Sequence, residues 1–503
     1  MSRTSKFIIN SFSTALFQLI KMITGFILPK IMLSVYGSEI NGLVNSILQL
    51  ISYLALVEAG LTGATIYSLY KPLTISDTKR INSILTAARK FYNRTGCLFM
   101  GMILVAAFIY PVFIKTQIMN YNEIVILFFI LGFNEVLDFF ILAKYRTLLT
   151  ADQNIYIISV TNIIQTILNV IIIASASYLG ASIIIVYLLA LLSIIIKTVI
   201  LLIYCKKKYC YLDFSVEPDY SALNKRWDAL YMQIIGVIHN GAPVLISSFL
   251  LSLNHVSIYS VYRLVVFSIN SILGIFTNSM SSGFGDILAR DEKDNFKKSF
   301  TEFEYIYYII ITIAFSVMII TFIPFINVYT KGLDINYSFL STAILMSLNG
   351  FFYNIKTPYG MLTISSGKYK ESRLQISIQG FLAIFWEIIL GIKWGLNGII
   401  VGELISNLYR DIDFIFFAPK HLTHYSFKHT LKMWLRSLFA ILVTLSINFV
   451  IHIEPVSTYF DWIKLAFIVG IYTTIFTLII NIITDYGLFK QVLLRFKNIL
   501  CHK

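Results

Sequence analysis

The chain has 503 residues, 57% of them hydrophobic and only 13% charged, with a mean hydropathy of +0.77. A compact soluble fold has too little interior to hide that much apolar side chain, which excludes the soluble, secreted and disordered classes together. The formal net charge of +14 then points away from nucleic acid and toward the Lys and Arg excess of cytoplasmic loops in a multi-pass membrane protein.

Hydropathy predicts an all-α polytopic membrane protein with about 14 transmembrane helices, each near the ~20 residues that span a bilayer. The segments are 7–35, 43–70, 95–114, 124–143, 155–178, 182–204, 231–252, 259–285, 305–327, 337–365, 375–392, 396–417, 437–453 and 465–484. The first is too long for the core of a cleavable signal and is expected to stay as the first helix. Placing the N-terminus inside puts about three quarters of all Lys and Arg on the inner side, which predicts both termini cytoplasmic. The outer connections then carry only Lys115, Lys331, Lys393 and Lys464. They are short, so no extramembrane domain is expected. Cys97, Cys205, Cys210 and Cys501 show no paired spacing and predict no disulfide framework.

Polar residues inside apolar segments are costly, and in chain order they form stripes. The first segment sets Asn10, Thr14, Gln18, Lys21 and Gly25 at helical spacing, with Lys30 farther on. The second contains Glu58, and the fourth carries Glu135 and Asp138 three residues apart. Arg263, Asn270, Gly274, Thr277 and Ser281 form the stripe of the eighth. Asn349, Tyr353, Lys356, Gly360 and Thr363 form that of the tenth, and Glu387 and Glu403 follow in the next two. Central lysines on such stripes fit a wet cavity with cationic walls, so Lys21 and Lys356, assisted by Lys30 and Arg263, are the candidate anion-binding groups. Ion pairing and snorkelling are the structural alternatives. Glu58, Glu135 and Asp138 are candidates for coupling to H⁺ or Na⁺, or equally counter-ions for the lysines. Asp411-Ile412-Asp413 has the form of a metal and nucleotide-sugar motif but stands at a helix end beside Arg410 with no domain around it, and reads as a charged interfacial end. No P-loop, catalytic constellation, metal site or bound cofactor is expected.

Matched dipeptides recur at an offset of about 215 residues: Leu33-Ser34 with Leu251-Ser252, Asn120-Tyr121 with Asn336-Tyr337 and Leu149-Thr150 with Leu362-Thr363, and Gly180 with Gly395. Their common order predicts two parallel six-helix bundles, 1–204 and 231–417, joined by a cytoplasmic linker at 205–230. Two further helices and a cytoplasmic tail complete 418–503. Six helices per repeat is an even number, so both bundles run the same way, an arrangement used for alternating access.

Pro29-Lys30 followed by Tyr36-Gly37-Ser38-Glu39-Ile40-Asn41-Gly42-Leu43 resembles the turn after the first helix of bacterial polysaccharide flippases. Glu58-Ala59-Gly60-Leu61, Leu69-Tyr70-Lys71-Pro72-Leu73, Asp77 and Phe91-Tyr92 resemble the next helix and first cytoplasmic loop of that family. It lies within the multidrug, oligosaccharidyl-lipid and polysaccharide exporter superfamily. The resemblance implies a multi-pass protein of the bacterial cytoplasmic membrane, a transporter rather than an enzyme. It implies translocation of an undecaprenyl-diphosphate-linked oligosaccharide between leaflets, with membrane lipids, a polysaccharide polymerase and chain-length proteins as partners and no nucleic acid. A drug or metabolite cation antiporter on the same fold, and an oligosaccharide polymerase or ligase, are the competing functions. A cationic cavity disfavours the first, and short outer loops the second.

Overall fold

The computed structural model describes residues 3–58, 61–114, 116–220, 226–290, 292–423, 426–448 and 455–501. Lys115 lies outside the described residues. Among these there is no strand, and ten helices are long and apolar enough to cross a membrane. All backbone polar groups of a crossing segment must be satisfied internally, so a chain this apolar is confined to helices.

Within the described residues each of the fourteen expected segments is helical, several with a break inside; residues 59–60 of the second and 449–453 of the thirteenth lie outside them. Helix α1 (Arg3–Leu54) carries the first segment and the start of the second across Gly37, whose φ of 82° turns the chain. The second segment continues through a 3₁₀ turn at Ala55–Glu58 into α2 (Leu61–Thr74), and α3 (Thr78–Phe113) is the third. The fourth comprises α4 (Tyr121–Leu137), a π-helical turn at Asp138–Leu142 and α5 (Ala143–Ala151). Helices α6 (Ile155–Tyr178), α7 (Ile183–Lys208), α8 (Arg226–Leu250), α9 (Leu253–Ala289) and α10 (Lys293–Tyr329) are the fifth to ninth. The tenth is split into α11 (Leu340–Ile355) and α12 (Thr357–Ser365) at Lys356. The eleventh and twelfth are the two parts of α13 (Tyr369–His421), which turns at Gly395, and α14 (Phe427–Asn448) and α15 (Tyr459–Thr484) complete the set. The expected tail is itself helical, α16 (Tyr486–Cys501), with Val492 buried while Leu493, Leu494 and Lys490 are exposed.

One type of helix-closing turn occurs after α2, α5, α6 and α12, and two of these fall at positions the repeat matches. After α5 the amides of Asp152, Gln153 and Asn154 donate back to the carbonyls of Leu148, Thr150 and Leu149. After α12 those of Ser366, Gly367 and Lys368 donate to Leu362, Ile364 and Thr363 in the same pattern. Gln153 and Gly367 both have positive φ, as the turn closing a helix this way requires. The correspondence pairs Leu148 with Leu362, one residue away from the register of the Leu-Thr dipeptides.

The chain forms two compact units, Met1–Val261 with Leu333–Ile335, and Tyr262–Gly332 with Asn336–Lys503. In the first, α1 packs along α6 and α8, α6 along α7 and α3 along α4, around a core that includes Ile47, Phe99, Phe128 and Val186. The family-like turn explains why the start of α9 belongs here. A Cβ on Gly42 would meet the carbonyl oxygen of Leu253 at 1.9 Å, so only glycine lets α1 approach that backbone. One residue earlier, Asn41 Nδ2 donates to Ser257 Oγ at 2.8 Å. Ser38 donates its amide at 2.9 Å and its hydroxyl to Asp334, and Thr116 donates to Glu39 at 2.6 Å. The bundle boundaries drawn from the repeat remain a proposal about grouping during transport. In the second unit α10 packs on α11, α14 and α15, and α11 on α13. Phe284, Phe296, Phe300 and Phe303 form an aromatic cluster that continues onto Tyr359.

Candidate functional site

In the first unit, two broken helices and α5 bring charge together inside an apolar segment. Glu58 ends the 3₁₀ turn of the second segment and Asp138 opens the π turn of the fourth. Arg146 of α5 donates to Asp138 Oδ2 at 2.6 Å and to Glu58 Oε1 at 3.1 Å. The π turn inserts an extra residue into the helix, which rotates Asp138 relative to Arg146 two turns later. Thr62 donates to the same Glu58 oxygen at 2.8 Å. Its hydroxyl also lies 3.0 Å from Tyr92 Oη, which lies 3.0 Å from Thr147 Oγ1. Tyr92 is fully buried, whereas the Arg146 side chain is 35% exposed. The arrangement is one cation shared by two carboxylates, with a hydroxyl chain leading into the protein. Such a cluster changes its hydrogen bonds whenever one carboxylate takes up a proton or a cation.

In the second unit the break at Lys356 is stabilised by polar groups from three helices. Tyr308 donates its hydroxyl to the Ile355 carbonyl at 3.0 Å, and Lys356 donates its ammonium to Asn407 Oδ1. Asn407 Nδ2 donates to Asn349 Oδ1 at 2.7 Å, and the Lys356 nitrogen lies 5.0 Å from the Tyr353 ring centroid. Asn354 Nδ2 donates to Asn270 Oδ1 at 2.7 Å and its Oδ1 accepts from Tyr307 at 3.0 Å. Lys356 has no carboxylate within ion-pair distance among the described residues. Asp411 is fully buried and neither of its oxygens is hydrogen-bonded among the described residues. Arg410 pairs with Asp413, donates to Ser372 and lies 4.0 Å above the Phe414 ring. The Asp411-Ile412-Asp413 stretch is therefore packed interior on one side and an ion pair on the other, not a solvated helix end.

The sequence-predicted residues fall into different surroundings. Lys21 is exposed, and its ammonium makes no hydrogen bond or ion pair among the described residues. The stripe it belongs to divides, since Asn10 accepts from the Tyr156 amide at 2.8 Å and donates to the Gln153 carbonyl at 2.9 Å, while Thr14 meets Ser159 at 3.3 Å. Those two residues bind the α5–α6 connection and α6 rather than a cavity. Lys30 and Arg263 are half-buried. Glu135 is half-buried and its carboxylate has no hydrogen bond or ion pair among the described residues, whereas Asp138 is held by Arg146. Glu387 is fully buried with neither carboxylate oxygen hydrogen-bonded among the described residues. Arg146 was missed because it follows the apolar part of its segment and counts as a loop charge. The available signal was its position two turns after Asp138.

No known protein family profile matches the sequence, and no curated protein matches it. Solved structures do. The lipid II flippase MurJ, in an inward closed conformation, matches with a TM-score of 0.68 at 14% identity over 96% of this chain and 100% of its own. A multidrug resistance MATE family transporter of the MOP superfamily, inward-facing, matches with a TM-score of 0.63 at 13% identity over 86% and 98%. The eukaryotic MATE transporter AtDTX14 gives 0.57 at 12% identity over 86% and 98%. The fold of this chain is that of the MATE and MurJ transporters of the MOP superfamily.

Proposed function

We propose that the protein is a flippase that carries an undecaprenyl-diphosphate-linked oligosaccharide across the bacterial cytoplasmic membrane by alternating access, coupled to H⁺ or Na⁺. The observation that carries this reading is the likeness to a lipid II flippase over nearly the whole chain. It is joined by Lys21 and Lys356, two cations in apolar segments with no carboxylate within ion-pair distance among the described residues. A diphosphate is bound by charge-assisted hydrogen bonds from such groups. Lys21, Lys30, Arg263 and Lys356 are assigned to the head group, and Glu58, Asp138 and Glu135 to the coupling ion. Both termini are cytoplasmic in this proposal. A polysaccharide polymerase and chain-length proteins are its working partners.

Deleting the gene should cause lipid-linked oligosaccharide to accumulate in the inner leaflet, and the purified protein should move that lipid between the leaflets of proteoliposomes. Glu58→Gln should abolish gradient-driven movement while leaving folded protein in the membrane. Export of cationic drugs or metabolites is the second reading, favoured by the MATE structures among the neighbours. Proteoliposomes that accumulate a cationic dye and ignore the lipid-linked oligosaccharide would select it.

A further inference from the structure

Outside the sites already described, one more group of cations lacks acidic partners. Arg89 of α3 lies 5.2 Å from the ring centroid of Phe214, and Lys144 of α5 lies 5.6 Å from the same ring. Lys144 is also 5.4 Å from the Tyr145 ring, which meets Phe214 edge-on with centroids 6.3 Å apart. Two like charges repel, and holding both over one aromatic ring needs a fixed scaffold. The connection after α7 supplies it. Asn82 Nδ2 donates to the Tyr211 carbonyl at 2.9 Å, Ser83 Oγ donates to the Glu217 carbonyl at 2.7 Å, and the Asp219 amide donates to Ser83 O at 3.2 Å. Leu212 and Phe214 pack against the core of Leu69, Ile81, Leu142 and Leu201.

The acidic residues of that connection do not neutralise the pair. Asp213 accepts the Ser215 amide at 2.8 Å and its hydroxyl at 2.6 Å, which hold its carboxyl below the usual range and turned to its own turn. Neither Arg89 nor Lys144 has a carboxylate within ion-pair distance among the described residues. Arg89 is exposed and Lys144 half-buried. Both stand where apolar sequence gives way to charge: Arg89 and Lys90 precede the long apolar part of α3, and Lys144 follows that of α4. A basic pocket between helices at this level meets lipid head groups rather than hydrocarbon.

We propose that Arg89 and Lys144, gathered over Phe214, form a binding site for the phosphate of an anionic phospholipid head group at the membrane surface. Arg supplies a fork of donors and Lys a point charge. The ring holds them near one another; Lys144 donates one N–H to the Phe140 carbonyl at 3.4 Å, and its other donors and those of Arg89 serve the ligand. The site lies wholly in the first unit and does not depend on the transport reading.

Thermal unfolding of the purified full-length protein tests this, with dihexanoyl phosphatidylglycerol, dihexanoyl phosphatidylcholine and inorganic phosphate as probes. The anionic lipid should raise the midpoint saturably, and the choline lipid should not. The Arg89→Gln/Lys144→Gln double variant should weaken the apparent affinity at least tenfold, while Lys206→Gln/Lys207→Gln, which removes the same charge from exposed positions, should change it less than threefold. An equal response to inorganic phosphate, lost in the double variant, supports the phosphate site and assigns its source to solution. An unchanged response in the double variant, or an equal loss in the Lys206/Lys207 control, overturns the proposal. If the double variant does not fold, Arg89→Gln alone should show a loss that Arg89→Lys partly restores, and equal affinity in both single variants and the parent overturns it.

Discussion

A lysine ammonium within an apolar segment persists only where water or a fixed polar group reaches it. Lys356 has such a group in Asn407, itself tied to Asn349. Lys21 has none among the described residues and is exposed. Lys21→Ala should therefore leave folding unchanged, and on the proposed flippase reading it should reduce oligosaccharide-lipid flipping by at least about tenfold, with Lys21→Arg retaining part of it, as measured in proteoliposomes at matched protein content. Lys356→Gln should affect stability as well, since it disrupts the amides that support a helix break. Arg146 is different again, being the shared partner of Glu58 and Asp138. Arg146→Gln should lower stability by about 1–3 kcal/mol by leaving two carboxylates without their donor. Adding Glu58→Gln and Asp138→Asn should recover much of that loss. Thermal unfolding of the purified variants in one detergent measures both effects, and absence of recovery would remove the charge explanation.

The interrupted helices are where this fold departs from simple hydrophobic rods. Interruptions within a membrane segment are stable only when protein groups satisfy the freed backbone. The Tyr308 hydroxyl does so at Ile355, and the π turn at Asp138–Leu142 keeps its own bonds while shifting side-chain direction. These positions carry Glu58, Asp138 and Lys356, so the elements that bend are also those that carry charge. The Gly37–Gly42 turn has a different basis, one of close approach. Gly42→Ala should destabilise the protein by about 3 kcal/mol or more, because its Cβ would overlap the Leu253 carbonyl and force α1 away. Gly25→Ala, with nothing within 4 Å of the added carbon, should be neutral. Yields of monodisperse protein and unfolding midpoints of the two variants make the comparison.

For the molecule as a whole, the charge distribution predicts its orientation. Reporter fusions at the N-terminus, after Lys208 and at the C-terminus should all report the cytoplasmic side, and fusions after Lys331 and Lys393 the opposite side. A C-terminus on the opposite side to the N-terminus would require an odd number of crossings and contradict the paired-bundle arrangement. The likeness to the fold of MurJ extends over 96% of the chain.

The sequence alone determined that the chain is an all-α polytopic membrane protein of about fourteen helices, and it points to two related halves. Those properties follow from hydropathy, segment length and internal periodicity, all of which are local or regular along the chain. It also singled out Lys21, Lys356, Glu58 and Asp138, because an ionised group among apolar residues is conspicuous without knowledge of its neighbours. Only the tertiary structure decided which partner each charge has. Arg146 bridges residues 88 and 8 positions away in the chain, and Asn407 reaches Lys356 from a helix 51 residues on. Periodicity records which face of a helix is polar, but not which helix that face meets. The stripe on α1 shows the difference, since Asn10 and Thr14 turn to α5–α6 while Lys21, on the same spacing, is left exposed.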